Sequence, residues 1–211
     1  MTTSIDPEAA LWNAPPGDRE RRPLLVLMHG RRGDAADRFA MASALPSEFV
    51  VVSLRAPIAE EGTWSWFDPK SPSGDPLAED ADRAADAVLR WLDALPFTPS
   101  LVGVLGFSQG GAMATQVLRR EAERIAFAVN LAGFVVRGEQ ASDALLAEAR
   151  PPVFWGRGAD DPLFTAELTE RTAGWLERHT ALESRVYEGL GHSISTHELD
   201  DVATFLRHRL A

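Results

Sequence analysis

The chain has 211 residues, 45% hydrophobic and 25% charged, the balance of one soluble globular domain. Its formal net charge of -10 opposes binding to phosphate backbones and anionic bilayers, so neither a nucleic-acid partner nor stable membrane insertion is expected. Cysteine is absent, which excludes disulfides, thiolate metal sites and a cysteine nucleophile together.

No apolar stretch reaches signal-peptide or membrane-spanning length, and a cytoplasmic location is the expectation. Residues 1–22 read as an N-terminal extension with room for one edge strand at "AALWN", ahead of a single domain over 23–211. From there short apolar runs alternate with longer amphipathic ones. A strand "PLLVLM" (23–28) leads to a helix over 35–45, then a strand "FVVVSL" (49–54). The stretch Pro57 to Pro76 fits neither period and reads as a long ordered loop, a kind of segment that often carries function. Leu77, Ala81, Ala84, Ala85, Val88, Leu92 and Leu95 recur at helical spacing and predict a helix over 77–95. Strands "LVGVLG" (101–106), "FAVNLA" (127–132), "PVFWG" (152–156) and "SRVYEG" (184–189) follow, separated by helices over 109–122, 142–149 and 165–179. Ser195 and Glu198 have capping-box spacing, and Leu199, Val202, Ala203 and Leu206 form the stripe of a last helix. This order predicts the α/β class, a mostly parallel central sheet with helices on both faces.

Gly106-Phe107-Ser108-Gln109-Gly110 matches G-x-S-x-G between a strand and a helix, the context that gives the pattern mechanical meaning. So tight a reversal forces the serine into a strained backbone conformation, and glycines two positions away relieve the crowding. A serine hydroxyl needs a base to become a nucleophile. His192, after the last strand, lies at the same sheet edge as Ser108, where open α/β sheets place ligands. His197 is its main competitor, and His29 fits a turn-packing role. Between serine and histidine, "WGRGADDPLF" supplies an acid after a strand: Asp161 is favoured, with Asp160 the alternative. The carboxylate would orient the imidazole; an Asp-Pro turn that caps the next segment is the structural reading of the same residues. The order Ser108, Asp161, His192 is that of α/β-hydrolases. The amides of Gln109 and Arg31 are the candidate oxyanion donors.

With these residues in place, the chain resembles the phospholipase/carboxylesterase group of α/β-hydrolases, which includes acyl-protein thioesterases and small bacterial carboxylesterases. The matching pieces are "LMHGRRGD", "RAPIAEEGTWSWFD", "GFSQGGAM", "GADDPLF" and "YEGLGHSISTHELDDVATFL", in order from Leu24 to Leu206. The resemblance implies an α/β-hydrolase fold, Ser108 as nucleophile, Asp161 as acid, His192 as base, Gln109 and Arg31 as amide donors, and no cofactor; no insertion is long enough for a large lid domain, and no two histidines have the H-x-x-x-H spacing of a helical metal site. Members of the group usually have glycine where Arg32 stands.

Trp64, Trp66 and Phe67 on the long loop, with Phe134 and Val135 after the fourth core strand, are candidate substrate contacts; anchoring of the loop is the competing role of the tryptophans. The expected partner is a small ester or thioester, and a homodimer is left open. The expected reaction is hydrolysis through an acyl-serine, rising with pH as the imidazole becomes neutral. A non-catalytic binding protein on the same fold is the alternative from another class.

Overall fold

The computed structural model describes residues 3–68 and 76–210. In chain order the elements are β1 (Leu11–Trp12), β2 (Leu24–Met28), α1 (Ala35–Phe39), β3 (Val50–Leu54), β4 (Ile58–Glu60), β5 (Thr63–Ser65), α2 (Ala78–Asp93), β6 (Val102–Phe107), α3 (Gln109–Arg120), β7 (Ile125–Leu131), α4 (Asp143–Ala149), β8 (Pro152–Gly158), α5 (Ala166–His179), β9 (Ala181–Tyr187) and α6 (Thr196–Arg207). Seven strands form the main sheet in the order β1-β3-β2-β6-β7-β8-β9. Only β1 runs antiparallel, pairing Leu11 with Ser53 at the edge.

Alternation along the strands builds two cores. Leu24, Val26 and Met28 of β2 join Val50 and Val52 of β3 and Val104 of β6 on one face, under Ala81, Ala84, Ala85 and Val88 of α2 and Ala112, Met113 and Val117 of α3. Leu25, Leu27, Val51, Leu105 and Val129 face the other way, against Val202, Phe205 and Leu206 of α6. Burial on both faces is why these strands read as continuous apolar runs. Phe127 lies over Gly103, where an added Cβ would fall 2.1 Å from its ring.

Several boundaries move. Leu77 caps α2 in an extended conformation and is 48% exposed, so it is outside the buried stripe. The helix expected over 35–45 is α1 followed by a 3-10 turn over Ala40–Ala44. The segment after Pro57 begins as a hairpin, β4 and β5, reversed at Glu61 (φ 51) and Gly62 (φ 83). Two successive positive φ values are the geometry of a tight hairpin turn. The remainder of that expected loop, 69–75, lies outside the described residues. Ser195 caps α6 by accepting from the Glu198 N–H at 3.0 Å, but the Glu198 side chain does not complete the capping box. It is buried instead, its carboxyl filling the space over Gly156.

Candidate active site

The carboxyl ends of β2, β6, β8 and β9 converge on one rim. β6 ends at Phe107, and Ser108 (φ 55, ψ -118) turns the chain directly into α3. A non-glycine residue held there costs about 1–3 kcal/mol and persists only where its surroundings over-determine it. Here they do. The Ser108 N–H donates to Leu131 O at 2.8 Å, and its carbonyl accepts from Ala112 at 3.0 Å. A Cβ on Gly106 would fall 1.9 Å from Gly110 O, and one on Gly110 would fall 2.1 Å from Met28 O. The two glycines thus let the first turn of α3 press against both its own strand and the end of β2.

Three side chains separated along the chain form one hydrogen-bonded line. Ser108 Oγ lies 2.8 Å from His192 Nε2, and His192 Nδ1 lies 2.7 Å from Asp161 Oδ2. The carboxylate places the ring hydrogen on Nδ1, which leaves Nε2 to accept from the serine hydroxyl. The Asp161 side chain is completely buried, whereas that of His192 is 23% exposed, so the ring reaches solvent and the acid does not. Asp161 Oδ1 also accepts from the Leu163 N–H at 2.9 Å, so the residue both orients the imidazole and caps its own turn. Asp160 is exposed, and its N–H donates to Leu190 O. His197 lies away from this line, 3.9 Å from Asp201 with its side chain 78% exposed.

The loop after β2 abuts the serine, since a Cβ on Gly30 would lie 3.5 Å from Ser108 Cβ. His29 is buried and anchors this loop: its Nε2 accepts from the Ala56 N–H at 3.0 Å, and Nδ1 donates to Gly30 O at 2.7 Å. Burial lowers its pKa and keeps the ring neutral. Arg32 adopts φ 54, a left-handed conformation that costs an L-residue about 1–2 kcal/mol. Glycine would hold it freely. The N–H groups of Gln109 and Arg31 have no acceptor among the described residues. That of Gln109 opens α3, where the helix dipole favours negative charge.

Some expected substrate contacts do not present a surface. Trp66 and Phe67 are fully buried and Val135 is 2% exposed, which corrects their assignment to a pocket wall. Burial of their large apolar area ties down a loop that has little other core. Trp66 Nε1 donates to His29 O at 2.8 Å, and its N–H donates to Gln109 Oε1 at 2.7 Å. The Gln109 amide also donates to Phe67 O at 2.7 Å, so one side chain pins the loop to the turn at Ser108. Phe134 keeps 8% of its surface, and Trp64 is partly exposed beneath Arg55, whose guanidinium carbon lies 4.2 Å from the ring centre.

Sequence reasoning missed three contributors. Phe107 packs against the His192 ring at 4.9 Å between centroids. Asn130, buried beneath the turn, accepts from the Gly133 N–H and donates to Thr115. Leu163, two residues after Asp161 and bonded to it through its backbone N–H, leaves its apolar side chain 53% exposed. Phe107 could have been suspected from its place beside the serine and Leu163 from its place in "GADDPLF"; Asn130 carries no motif.

The family model for phospholipase/carboxylesterase matches residues 14–210. Carboxylesterase SOBER1 of Arabidopsis thaliana is 30% identical over 155 residues, covering 69% of this chain and 68% of that protein. Acyl-protein thioesterase 1 of Candida albicans is 28% identical over 120 residues, covering 54% of this chain and 51% of the relative. The chain spans 59% of the length of a SOBER1-like relative from the same plant. Among solved structures, the Bacillus cereus carboxylesterase superposes with a TM-score of 0.80 at 21% identity, over 94% of this chain and 93% of that one. No helix among the described residues is long and apolar enough to cross a membrane. Matched over nearly its whole length, the chain belongs to the phospholipase/carboxylesterase family of α/β-hydrolases.

Proposed function

We propose that the protein is a serine hydrolase that cleaves carboxylic esters of short to medium acyl chains through an acyl-serine. The observation that carries this reading is the unbroken line from Ser108 Oγ through the His192 ring to Asp161, at 2.8 and 2.7 Å.

Ser108 Oγ attacks the ester carbonyl as His192 Nε2 takes its proton, and Asp161 stabilises the imidazolium that forms. The carbonyl oxygen becomes negative and is held by the Gln109 and Arg31 N–H groups. When the tetrahedral intermediate collapses, the bond to the leaving oxygen breaks and His192 returns the proton to it. Water then repeats the sequence, with His192 as base, and releases the acid and the free serine. Trp64, Phe134 and Leu163 are the apolar side chains we assign to the acyl or alcohol group.

Ser108→Ala is expected to keep the fold and lose hydrolysis by several orders of magnitude. The test is a panel of acyl esters and thioesters of increasing chain length, run beside this variant. Retention of near-full turnover by Ser108→Ala would end the assignment. A thioesterase reading uses the same residues and is favoured by the acyl-protein thioesterase relative; faster turnover of thioesters at equal chain length would select it.

A further inference from the structure

We propose that Glu60 is a positioning residue for the oxyanion site, holding the loop that carries the Arg31 N–H in register with Ser108. The inference rests on the serine-hydrolase reading above and concerns how one half of that site keeps its shape.

Glu60 ends β4, on a hairpin outside the main sheet, yet its carboxylate is the hub of contacts to the loop beside the nucleophile. Oε1 accepts from Arg31 Nη2 and from Arg32 Nε, each at 2.8 Å. Oε2 accepts from Ser65 Oγ at 2.7 Å, and that same Oγ accepts from the Arg32 N–H at 3.2 Å. One residue further, Gly33 and Trp64 exchange both backbone hydrogen bonds, at 3.1 and 3.0 Å. The hairpin therefore grips Arg31, Arg32 and Gly33 in succession and leaves the Arg31 N–H without an acceptor among the described residues.

The grip has a physical reason at Arg32. Its left-handed φ of 54 is a conformation an arginine leaves unless something holds it. Relaxing it would rotate the peptide that joins Arg31 to Arg32 and shift the Arg31 N–H with it. A glycine needs no such restraint. The Ser65 hydroxyl and the two guanidinium groups draw the Glu60 carboxyl down to about 2, so it is ionised throughout the range in which an imidazole serves as base. The contact is electrostatic and sits near water, with the Arg31 and Arg32 side chains 44% and 55% exposed and Glu60 19%.

The experiment compares wild type with Glu60→Ala, Glu60→Gln, Arg32→Gly and the double variant Glu60→Ala/Arg32→Gly, beside Ser108→Ala. Each is assayed for kcat and KM on one ester and for inhibition by a trifluoromethyl ketone, whose adduct places an oxyanion where the intermediate has one. Glu60→Ala is expected to lower kcat about 10- to 100-fold with KM within about threefold, and to weaken the ketone in the same proportion. Adding Arg32→Gly is expected to restore most of both losses, because glycine keeps the loop's conformation without the carboxylate. If Glu60→Ala does not fold, Glu60→Gln is expected to show the same paired loss at smaller size. Unchanged kcat and ketone affinity in a folded Glu60 variant, or a loss that Arg32→Gly deepens, would overturn the proposal while inactivity of Ser108→Ala left the hydrolase reading standing. Activity in Ser108→Ala would overturn both.

Discussion

The strand-to-helix turn at Ser108 and the loop after β2 abut each other, and each holds a non-glycine residue at positive φ, Ser108 at 55 and Arg32 at 54. The means of holding differ. Around Ser108 the restraint is backbone packed on backbone, with Gly106 and Gly110 so close to neighbouring carbonyls that no side chain fits. Around Arg32 the restraint comes from a surface hairpin: one carboxylate shared by two partly exposed guanidinium groups, the Ser65 hydroxyl on the Arg32 N–H, and the backbone pair of Gly33 with Trp64. Steric restraint is insensitive to salt and intolerant of substitution; electrostatic restraint at a surface is screened by salt and can be replaced by glycine.

The line from Ser108 to the loops after β8 and β9, which carry Asp161 and His192, should show the largest response. Asp161→Asn is expected to lower kcat by about 10³- to 10⁴-fold with an unaltered melting temperature, because an amide favours the wrong imidazole tautomer. Kinetics and a thermal melt check it, and a tenfold loss or less would show that the acid does not orient His192.

Gly110→Ala tests the steric side. Its Cβ would fall 2.1 Å from Met28 O and 2.6 Å from His29 O, both backbone atoms, so α3 must move away from the end of β2. We expect a stability loss of about 1–3 kcal/mol and roughly a hundredfold fall in kcat, read by denaturant titration and by kinetics. An alanine accepted without loss of either would mean that the turn is not sterically locked.

A third prediction concerns α6, whose first turn follows the loop that carries His192. Burial, the dominant cause, pushes the Glu198 carboxyl up to about 7, with Asp201 adding to it and the Ser195 backbone contact opposing. The folded protein thus keeps this proton at pH values where the unfolded chain, with an ordinary value near 4.5, has lost it. Stability from this group is fully present below the unfolded value and is lost as pH rises through about 7. Glu198→Gln should accordingly stabilise by about 3 kcal/mol at pH 8.5 and by nothing at pH 4, measured by denaturant unfolding at both. Equal effects at the two pH values would show that the carboxyl stays ionised when buried.

The smallest effect belongs to the electrostatic side. Raising salt from 0.05 to 1 M is expected to lower kcat about two- to threefold through the Glu60 contacts, with less change in Arg32→Gly. The same loss in both proteins would detach the salt effect from the loop.

How much of this was legible in the sequence follows from the same contrast. That Ser108, His192 and Asp161 rather than Asp160 meet in one hydrogen-bonded line was legible because a turn of fixed geometry demands small residues at fixed spacing, and chain order selects its partners. The core strands were legible because burial on both faces makes them uniformly apolar. The hairpin β4–β5 was not, since three-residue strands on a surface carry little periodicity and only Glu61-Gly62 marks the reversal. Glu198 was misread as half of a reciprocal cap because spacing reports reach and not burial. Trp66 and Phe67 were assigned to a pocket because an aromatic cluster near a site looks the same in sequence whether it lines the cavity or anchors its wall. The role of Glu60 depends on a contact 28 residues away from Arg32, which no local pattern encodes.

Intact-mass spectrometry after brief exposure to a fluorophosphonate asks whether the Ser108 hydroxyl is activated at all. The expected result is one adduct per chain, mapped to Ser108, absent in Ser108→Ala and strongly slowed in His192→Ala. A folded wild-type protein that acquires no adduct, or one that still acquires it in Ser108→Ala, would contradict the relay on which the proposed chemistry depends.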